Sequence, residues 1–218
     1  MTDPSDILQA LLPTAACGAF SSRRPHDFEL LAEERDCAES MPDRRLRDFL
    51  NGRACARLAL NRLGFADCPV PIGANREPLW PDGVVGSISH CGEKAAAVVA
   101  RVDAIGGIGL DIELGEDLDE ALVPMICRDE EQRYLASSAA RLRIAKLIFS
   151  AKESIFKCIW PSVRRFVDFQ EVSVQLDLDR NAFTASARST ELPADLLERL
   201  RGRIGRADGL LVTSAFLS

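Results

Sequence analysis

The chain has 218 residues, of which 47% are hydrophobic, and its formal net charge is −6 at pH 7. This length and apolar content fit one large domain or two small ones with a sizeable core. The negative charge argues against a broad nucleic-acid-binding surface, so an anion site has to be a local cluster of arginine and lysine.

The cysteine and histidine content restricts the compartment and the kind of metal site. The seven cysteines are scattered and include no C-x-x-C pair, and there are only two histidines. The cysteine pattern favours reduced thiols in a cytoplasmic protein and argues against a zinc knuckle or a disulfide framework, and the histidine count excludes a histidine-rich metal site. The N-terminus lacks the order of a signal peptide, and no apolar run approaches the length of a transmembrane helix.

The first part of the chain is predicted to be helical. Residues 1–27 contain three prolines and are expected to form an arm of low order or one short helix. Helical spacing continues from Phe28 to about Met41, and a second helix is predicted over about 43–63, ending at Gly64. One face of this second helix carries side chains at four-residue steps: Arg45, Phe49, Arg53 and Arg57. The arginine row is either a solvated flank or an anion-binding face.

A turn-rich loop over 64–83 contains Asn75, Arg76 and Trp80, and three strands are predicted to follow it. They span Val84–His90, Ala95–Val102 and Ile105–Glu113. The first strand ends in Ser89 and His90. These two side chains could bind a phosphate or could be satisfied structural residues.

The third predicted strand places two acids on one face. At period two, Ile108, Leu110 and Ile112 share the apolar face, and Gly109, Asp111 and Glu113 share the other. Two carboxylates at this spacing repel each other unless a cation or a proton lies between them. Oxygen ligands of this kind suit Mg²⁺. The alternative is an edge strand with a solvated acidic face.

The second part of the chain is predicted to contain a largely buried helix over about 140–159, ended by Pro161. Glu153 and Lys157 lie one turn apart on it, either as a surface pair or as part of a site. The other predicted elements are an acidic loop over 114–127 that leads to a short helix, a helix over 128–137, strands at Gln170–Leu178 and Ala182–Arg188, a helix at about 192–202 and a strand at about 209–217. The order of helix then strands occurs twice, before and after about residue 105.

Five stretches together resemble the Sfp/EntD-type 4′-phosphopantetheinyl transferases, and most closely their bacterial siderophore-synthetase branch. The resemblance covers about residues 28–170. In chain order the stretches are Arg44-Arg45-x-x-x-Phe49-x-x-x-Arg53-x-x-x-Arg57, Arg76-Glu77-Pro78-x-Trp80-Pro81-x-Gly83, Gly86-Ser87-Ile88-Ser89-His90, Gly109-x-Asp111-Ile112-Glu113 and Phe149-Ser150-Ala151-Lys152-Glu153-x-x-x-Lys157.

The resemblance implies an α+β fold of two pseudo-symmetric halves, residues 1–105 and 106–218, with the active site in the cleft between them. It implies transfer of the 4′-phosphopantetheine arm from coenzyme A to a serine of an apo carrier protein, with release of adenosine 3′,5′-bisphosphate. The carrier can be an acyl, peptidyl or aryl carrier protein, and the sequence leaves the pathway open among siderophore, polyketide, nonribosomal peptide and fatty acid synthesis. A cytoplasmic monomer is expected, with no nucleic-acid partner and no membrane span.

The chemistry of this reaction, an alcohol attacking one phosphorus of a pyrophosphate, needs mainly charge neutralisation and alignment. By resemblance, Asp111, Glu113 and Glu153 hold Mg²⁺. Glu153 also accepts the serine proton, and Lys157 offsets charge on the pyrophosphate. The residues expected to contact coenzyme A are Arg45, Arg53, Asn75, Arg76, Ser89, His90, Asp111, Lys152 and Lys157.

A local basic group within the acidic chain is expected to steer the acidic carrier protein. Its members are Arg141, Arg143, Lys146, Arg164 and Arg165. Two other functions remain open on the sequence. One is a different Mg²⁺-dependent enzyme acting on a nucleotide pyrophosphate, although the chain has no P-loop motif. The other is a non-catalytic protein that binds coenzyme A or a carrier.

Overall fold

A computed structural model describes residues 4–22 and 28–218, which form two antiparallel sheets with helices packed against them. The helices are α1 (Pro4–Ala10), α2 (Ala32–Ala38), α3 (Asp43–Leu63), α4 (Val123–Ile126), α5 (Asp129–Ala136), α6 (Arg141–Val163) and α7 (Ala194–Glu198). The strands are β1 (Ala16–Ser21), β2 (Val84–Cys91), β3 (Lys94–Arg101), β4 (Gly107–Leu114), β5 (Val172–Asp177), β6 (Ala182–Ala187), β7 (Leu200–Ala207) and β8 (Leu210–Leu217). The arrangement confirms the predicted α+β class.

The first sheet has the strand order β1-β3-β2, and α3 packs on one of its faces. The core between them uses small side chains of α3, such as Ala56 and Ala59, against Ala97 and Val99 of β3. Small residues let the helix lie close to the sheet. The helix ends at Gly64, whose φ of 92° is the left-handed conformation that closes a helix, as its position predicts.

The second sheet has the strand order β4-β8-β7-β6-β5, and α6 packs across β4 and β8. The buried residues of α6 recur at helical spacing: Leu147, Ala151, Ile155 and Ile159 are each exposed by 1% or less. This confirms that the helix is largely buried.

The two sheets repeat one topology. In each of them a strand, a long helix and an antiparallel hairpin follow one another, and the last strand of the hairpin pairs with the first strand. These strands are β1, β2 and β3 in the first sheet and β4, β7 and β8 in the second, where β5 and β6 are an additional hairpin. The predicted pseudo-symmetry is therefore visible in the strand pairing. The proposed division at residue 105 falls in the connection between Arg101 and Gly107.

Serine side chains join the two sheets where β2 runs beside β4. The Leu110 N–H donates to Ser87 Oγ at 3.1 Å, and the Ile112 N–H donates to Ser89 Oγ at 3.2 Å. The edge strand β4 thereby satisfies main-chain groups that its own sheet leaves unpaired. This junction is the floor of the cleft between the halves.

Three predictions about individual elements are wrong. Within residues 1–27 the described part contains β1 as well as α1, and α1 lies against the second sheet, where Ser214 Oγ donates to the Leu11 carbonyl at 2.8 Å. The helix expected over 192–202 is only α7, because β7 begins at Leu200 and pairs with β8. The long helix does not end at Pro161 but continues to Val163, because a proline in the last turn removes only one hydrogen bond.

Among residues 4–22 and 28–218, no helix combines the length and the apolar composition needed to span a bilayer.

Candidate active site

Close packing of α6 on β4 brings the predicted catalytic helix to the acidic strand. A Cβ on Gly109 would lie 1.9 Å from the Ser154 carbonyl oxygen, and one on Gly107 would lie 2.3 Å from that of Cys158. Only glycine permits this approach. The face of β4 that carries Asp111 and Glu113 is therefore covered by the helix rather than solvated, whereas the opposite face is core, as predicted.

Asp111 is 4% exposed and accepts hydrogen bonds on both carboxylate oxygens. Its Oδ1 accepts from Lys157 Nζ at 2.7 Å and from Ser89 Oγ at 3.1 Å. Its Oδ2 accepts from Ser150 Oγ at 2.9 Å. This buried carboxylate is thus paired with a lysine and bonded by two hydroxyls, so both of its oxygens have the partners that a buried polar group needs.

The two other acids lie nearer the surface. Glu113 Oε2 is 2.5 Å from Lys146 Nζ, and both side chains are partly exposed. Burial raises the pKa of Glu153, and the negative charges of Asp111 and Glu113 raise it further, whereas Lys157 lowers it. The structure therefore brings Glu153 within electrostatic reach of both strand carboxylates, and a raised pKa suits a group that accepts a proton.

A divalent cation such as Mg²⁺ needs oxygen donors, and the site offers the carboxylates of Asp111, Glu113 and Glu153. In the part of the chain that the structure describes, no three Asp, Glu, His or Cys side chains are grouped closely enough to hold a metal ion. Asp111 and Glu113 are instead paired with lysines. Because Mg²⁺ usually takes only one or two protein carboxylates and completes its shell with phosphate and water, the oxygen donors present still fit this ion.

Two adjoining cavities lie beside this centre, the larger one between the halves and the smaller one within the first half. One, of about 490 Å³, is lined by Trp80 and Lys157. The other, of about 340 Å³, is lined by Arg45 and His90. Both include Arg76, so a row of basic side chains runs from Lys157 to Arg45. Such a row in a cleft suits an anionic ligand that carries several phosphates.

Comparison with known proteins gives the family. Residues 32–100 match the family described as the 4′-phosphopantetheinyl transferase N-terminal domain, and residues 107–200 match the 4′-phosphopantetheinyl transferase superfamily. The 4′-phosphopantetheinyl transferase Svp of Streptomyces mobaraensis is 36% identical over 217 residues, which cover 95% of this chain and 88% of that protein. The chain belongs to the 4′-phosphopantetheinyl transferase superfamily. It is an enzyme that transfers phosphopantetheine to apo carrier proteins.

Other relatives agree with this result. The 4′-phosphopantetheinyl transferase PptT of Mycobacterium tuberculosis is 31% identical over 200 residues, which cover 88% of each chain. Enterobactin synthase component D of Escherichia coli is 40% identical over 134 residues, which cover 60% of this chain and 63% of that protein. The resemblance to the siderophore-synthetase branch is thereby confirmed.

In this transferase Lys152, expected to contact coenzyme A, is a buried structural residue. Its ammonium donates to Glu131 Oε2 at 2.7 Å, to the Ile126 carbonyl at 2.8 Å and to the Phe169 carbonyl at 2.9 Å. All three donors are therefore used inside the protein, and the side chain is 2% exposed. This corrects the assignment made from the sequence motif.

Two more residues of the transferase that were expected to contact coenzyme A, Arg53 and Ser89, form hydrogen bonds within the protein. Arg53 is 7% exposed, and its Nε donates to the Val70 carbonyl at 2.5 Å while its guanidinium stacks on Phe49. Burial lowers the pKa of Arg53 to about 10. Ser89 is 5% exposed and bonds to Asp111 and β4. Arg53 nevertheless lines the smaller cavity together with Arg45, Arg76 and His90, and Asn75 lines the larger one, whereas Ser89 lines neither.

The sequence reasoning missed three polar residues of the transferase site. Ser150 binds Asp111, and its Oγ lies 2.9 Å from Thr213 Oγ1. Lys146 pairs with Glu113. The sequence spacing could have identified Lys146 and Ser150, because they lie on the same helical face as Glu153 and Lys157. No sequence pattern indicated Thr213, since it reaches the site only through the pairing of β8 with β4.

Proposed function

We propose that coenzyme A lies in the cleft with its phosphates along the basic row from Arg45 to Lys157, and that Glu153 accepts the proton of the carrier serine. The observation that carries this proposal is the packing of α6 on β4. It brings a proton acceptor and two carboxylates to Lys157, which lines a largely apolar cavity together with Arg76 and Arg164.

The residues of this chain have distinct tasks in the proposed reaction. Lys157 lies 2.7 Å from Asp111 and lines the larger cavity, so its ammonium can contact both the carboxylate and a pyrophosphate oxygen. Arg76, which is shared by both cavities, holds a phosphate, and Arg45 and His90 bind the anionic end of the nucleotide. Glu153, with its raised pKa, takes the serine proton directly or through a water molecule.

Of the three acids expected to hold Mg²⁺, Asp111 and Glu113 are proposed to bind it directly, with phosphate and water completing its shell, and Glu153 to add negative charge beside it. When bound, the ion neutralises charge that develops on the pyrophosphate. The protein prepares this site by fixing Asp111 with Ser89 and Ser150, so that the carboxylate needs little reorganisation.

The carrier surface is proposed to centre on Arg164, at the end of α6. Of the five basic residues predicted to steer the carrier, four form ion pairs: Arg141 with Glu120, Arg143 with Asp117, Lys146 with Glu113, and Arg165 with Glu171 and Glu191. Arg164 forms no ion pair with any residue that the structure describes, is exposed, and lines the cleft. Its charge is therefore available to an acidic partner.

The setting of the reaction is also a proposal. All seven cysteines are free thiols, in keeping with a reducing compartment such as the cytoplasm. A monomer is proposed because the two halves supply both walls of the cleft from one chain. Siderophore synthesis is one candidate pathway, since enterobactin synthase component D is among the relatives.

The decisive experiment is incubation of the purified protein with a panel of apo acyl, peptidyl and aryl carrier proteins. The expected result is a mass increase of about 340 Da on a carrier, the mass of the transferred arm in phosphoryl-type transfer from coenzyme A, which requires both coenzyme A and Mg²⁺. A mass shift that persists in EDTA would remove the metal from the proposal. Cleavage of coenzyme A without carrier modification would favour the other Mg²⁺-dependent nucleotide enzyme.

A further inference from the structure

Lys146 lies on the face of α6 that covers the acidic strand. Counting from Lys146, the residues of this face are Ser150, Glu153 and Lys157, at steps of four, three and four. Ser150 and Lys157 both bind Asp111. Lys146 is the first residue of the row and bonds to the other strand acid, Glu113.

The contact between Lys146 and Glu113 is close and partly sheltered. Lys146 Nζ lies 2.5 Å from Glu113 Oε2, and the two side chains are 17% and 24% exposed. The ammonium also lies 5.2 Å from the centre of the Phe149 ring, which shields one side of it from water. An ion pair in such a position is weakened less by solvent than one on an open surface.

Glu113 differs from Asp111 in what else holds it. Asp111 has hydroxyl donors on both oxygens in addition to Lys157, so its position does not depend on one cation. Among the described residues, only Lys146 donates a hydrogen bond to the Glu113 side chain. A divalent cation at Glu113 must therefore displace the ammonium from Oε2 or bind beside a positive charge.

We propose that Lys146 is a built-in competitor of the divalent cation, which pairs with Glu113 in the metal-free enzyme and weakens metal binding at that carboxylate. The proposal rests on the metal site described under the proposed function. Lys146 is not assigned a contact with the reacting atoms. Its effect is to set how much divalent cation the enzyme needs.

The test is Mn²⁺ binding, followed by the EPR signal of the free ion, with saturating coenzyme A and no carrier protein. Lys146→Met removes the charge and retains most of the apolar stem. We expect it to tighten Mn²⁺ binding by roughly threefold to tenfold, the range for loss of one partly exposed charge interaction. The Mg²⁺ concentration that half-activates the enzyme should fall by a similar factor. Lys146→Gln serves as a second variant if thermal unfolding shows that Lys146→Met is not folded.

Two controls separate the outcomes. Arg143→Met removes the same charge from the same helix but from a residue that pairs with Asp117, and it should leave Mn²⁺ binding unchanged. Asp111→Asn should weaken Mn²⁺ binding strongly. If it does so while both Lys146 variants bind Mn²⁺ no more tightly than the wild type, the competitor role is overturned and the metal site stands. If Asp111→Asn has no effect on Mn²⁺ binding, the metal site and the role of Lys146 fail together.

Discussion

Gly109 of β4 lies directly beneath Ser154 of α6, so closely that a methyl group in place of its hydrogen would come within 1.9 Å of the Ser154 carbonyl oxygen. The atom in the way belongs to the main chain and cannot rotate aside. We therefore expect Gly109→Ala to push α6 away from β4 and to destabilise the protein by about 3 kcal/mol or more.

Denaturant unfolding measures this effect, and Gly106→Ala is the matched control. A Cβ on Gly106 meets no atom closer than 3.8 Å, so this variant should unfold like the wild type. In residual folded Gly109→Ala protein, kcat should fall because Glu153 and Lys157 move with the helix. Equal stability of the two alanine variants would contradict the close packing.

Glu153→Gln tests the proton acceptor. Glutamine has nearly the same shape but cannot take a proton, so kcat should fall by about a hundredfold or more, while coenzyme A still binds. Turnover is read from the intact mass of the carrier, and coenzyme A affinity from calorimetry. Glu198→Gln, on the exposed end of α7, should leave both unchanged. Normal turnover by Glu153→Gln would remove this residue from its proposed role.

Lys152→Met tests whether Lys152 is a structural residue and not a contact of coenzyme A. The substitution leaves Glu131 buried without its cation, which should cost about 3–5 kcal/mol of unfolding free energy. Adding Glu131→Gln removes the stranded charge, so the double variant should be more stable than Lys152→Met alone. The KM for coenzyme A should stay within about twofold of the wild-type value in folded protein, since KM rises when a contact to the bound substrate is lost and the ammonium of Lys152 is used inside the protein. A raised KM without loss of stability would restore the role in cofactor binding.

Arg164→Glu tests the carrier surface. Reversing this unpaired charge should raise the KM for an acidic carrier by about threefold to tenfold, mainly by slowing association, and the effect should shrink at high salt. Arg143→Glu is the control, because Arg143 already pairs with Asp117. An increase in KM for coenzyme A alone would place Arg164 at the nucleotide end of the cleft.

The ion pair between Glu171 and Arg165 predicts a dependence of stability on pH. The hydrogen bond from Arg165 lowers the pKa of Glu171 to about 2 from its ordinary value of 4.5. The ionised form is thus favoured in the folded state, and its stabilisation is complete above pH 4.5 and lost as the pH falls towards 2.

We expect Glu171→Gln to be less stable than the wild type by about 1 kcal/mol at pH 7, since solvent screens this partly exposed pair. The difference should shrink when unfolding is measured at pH 3. Glu191, which lies 3.6 Å from Arg165 and is 73% exposed, supplies the control, because Glu191→Gln should change little at either pH. A difference that is constant with pH would exclude this ion pair as its cause.

Local patterns along the chain were sufficient to predict most elements, because the patterns depend on spacing and on capping residues. The alternation over β4 and the four-residue steps of α3 both correspond to elements of the structure. The helix predicted over about 192–202 extends into the start of β7 because Leu196, Leu197 and Leu200 fit helical spacing, and the pairing of β7 with β8 overrides that preference. Strand β1 was missed because its residues are small and close to a proline, and only the pairing with β3 makes it a strand.

Residue types in their order along the chain identified the family motifs and the acids Asp111, Glu113 and Glu153, because the chemistry of phosphate transfer requires such groups at such spacing. The direction in which each neighbouring side chain points was decided by packing. Lys152 and Glu153 are adjacent in the sequence, yet Lys152 is held inside by Glu131 while Glu153 lies within electrostatic reach of the strand carboxylates, because successive residues of a helix face about 100° apart. Which lysine neutralises which acid depends on the position of α6 over β4, and that position follows from two glycines that let the main chains touch.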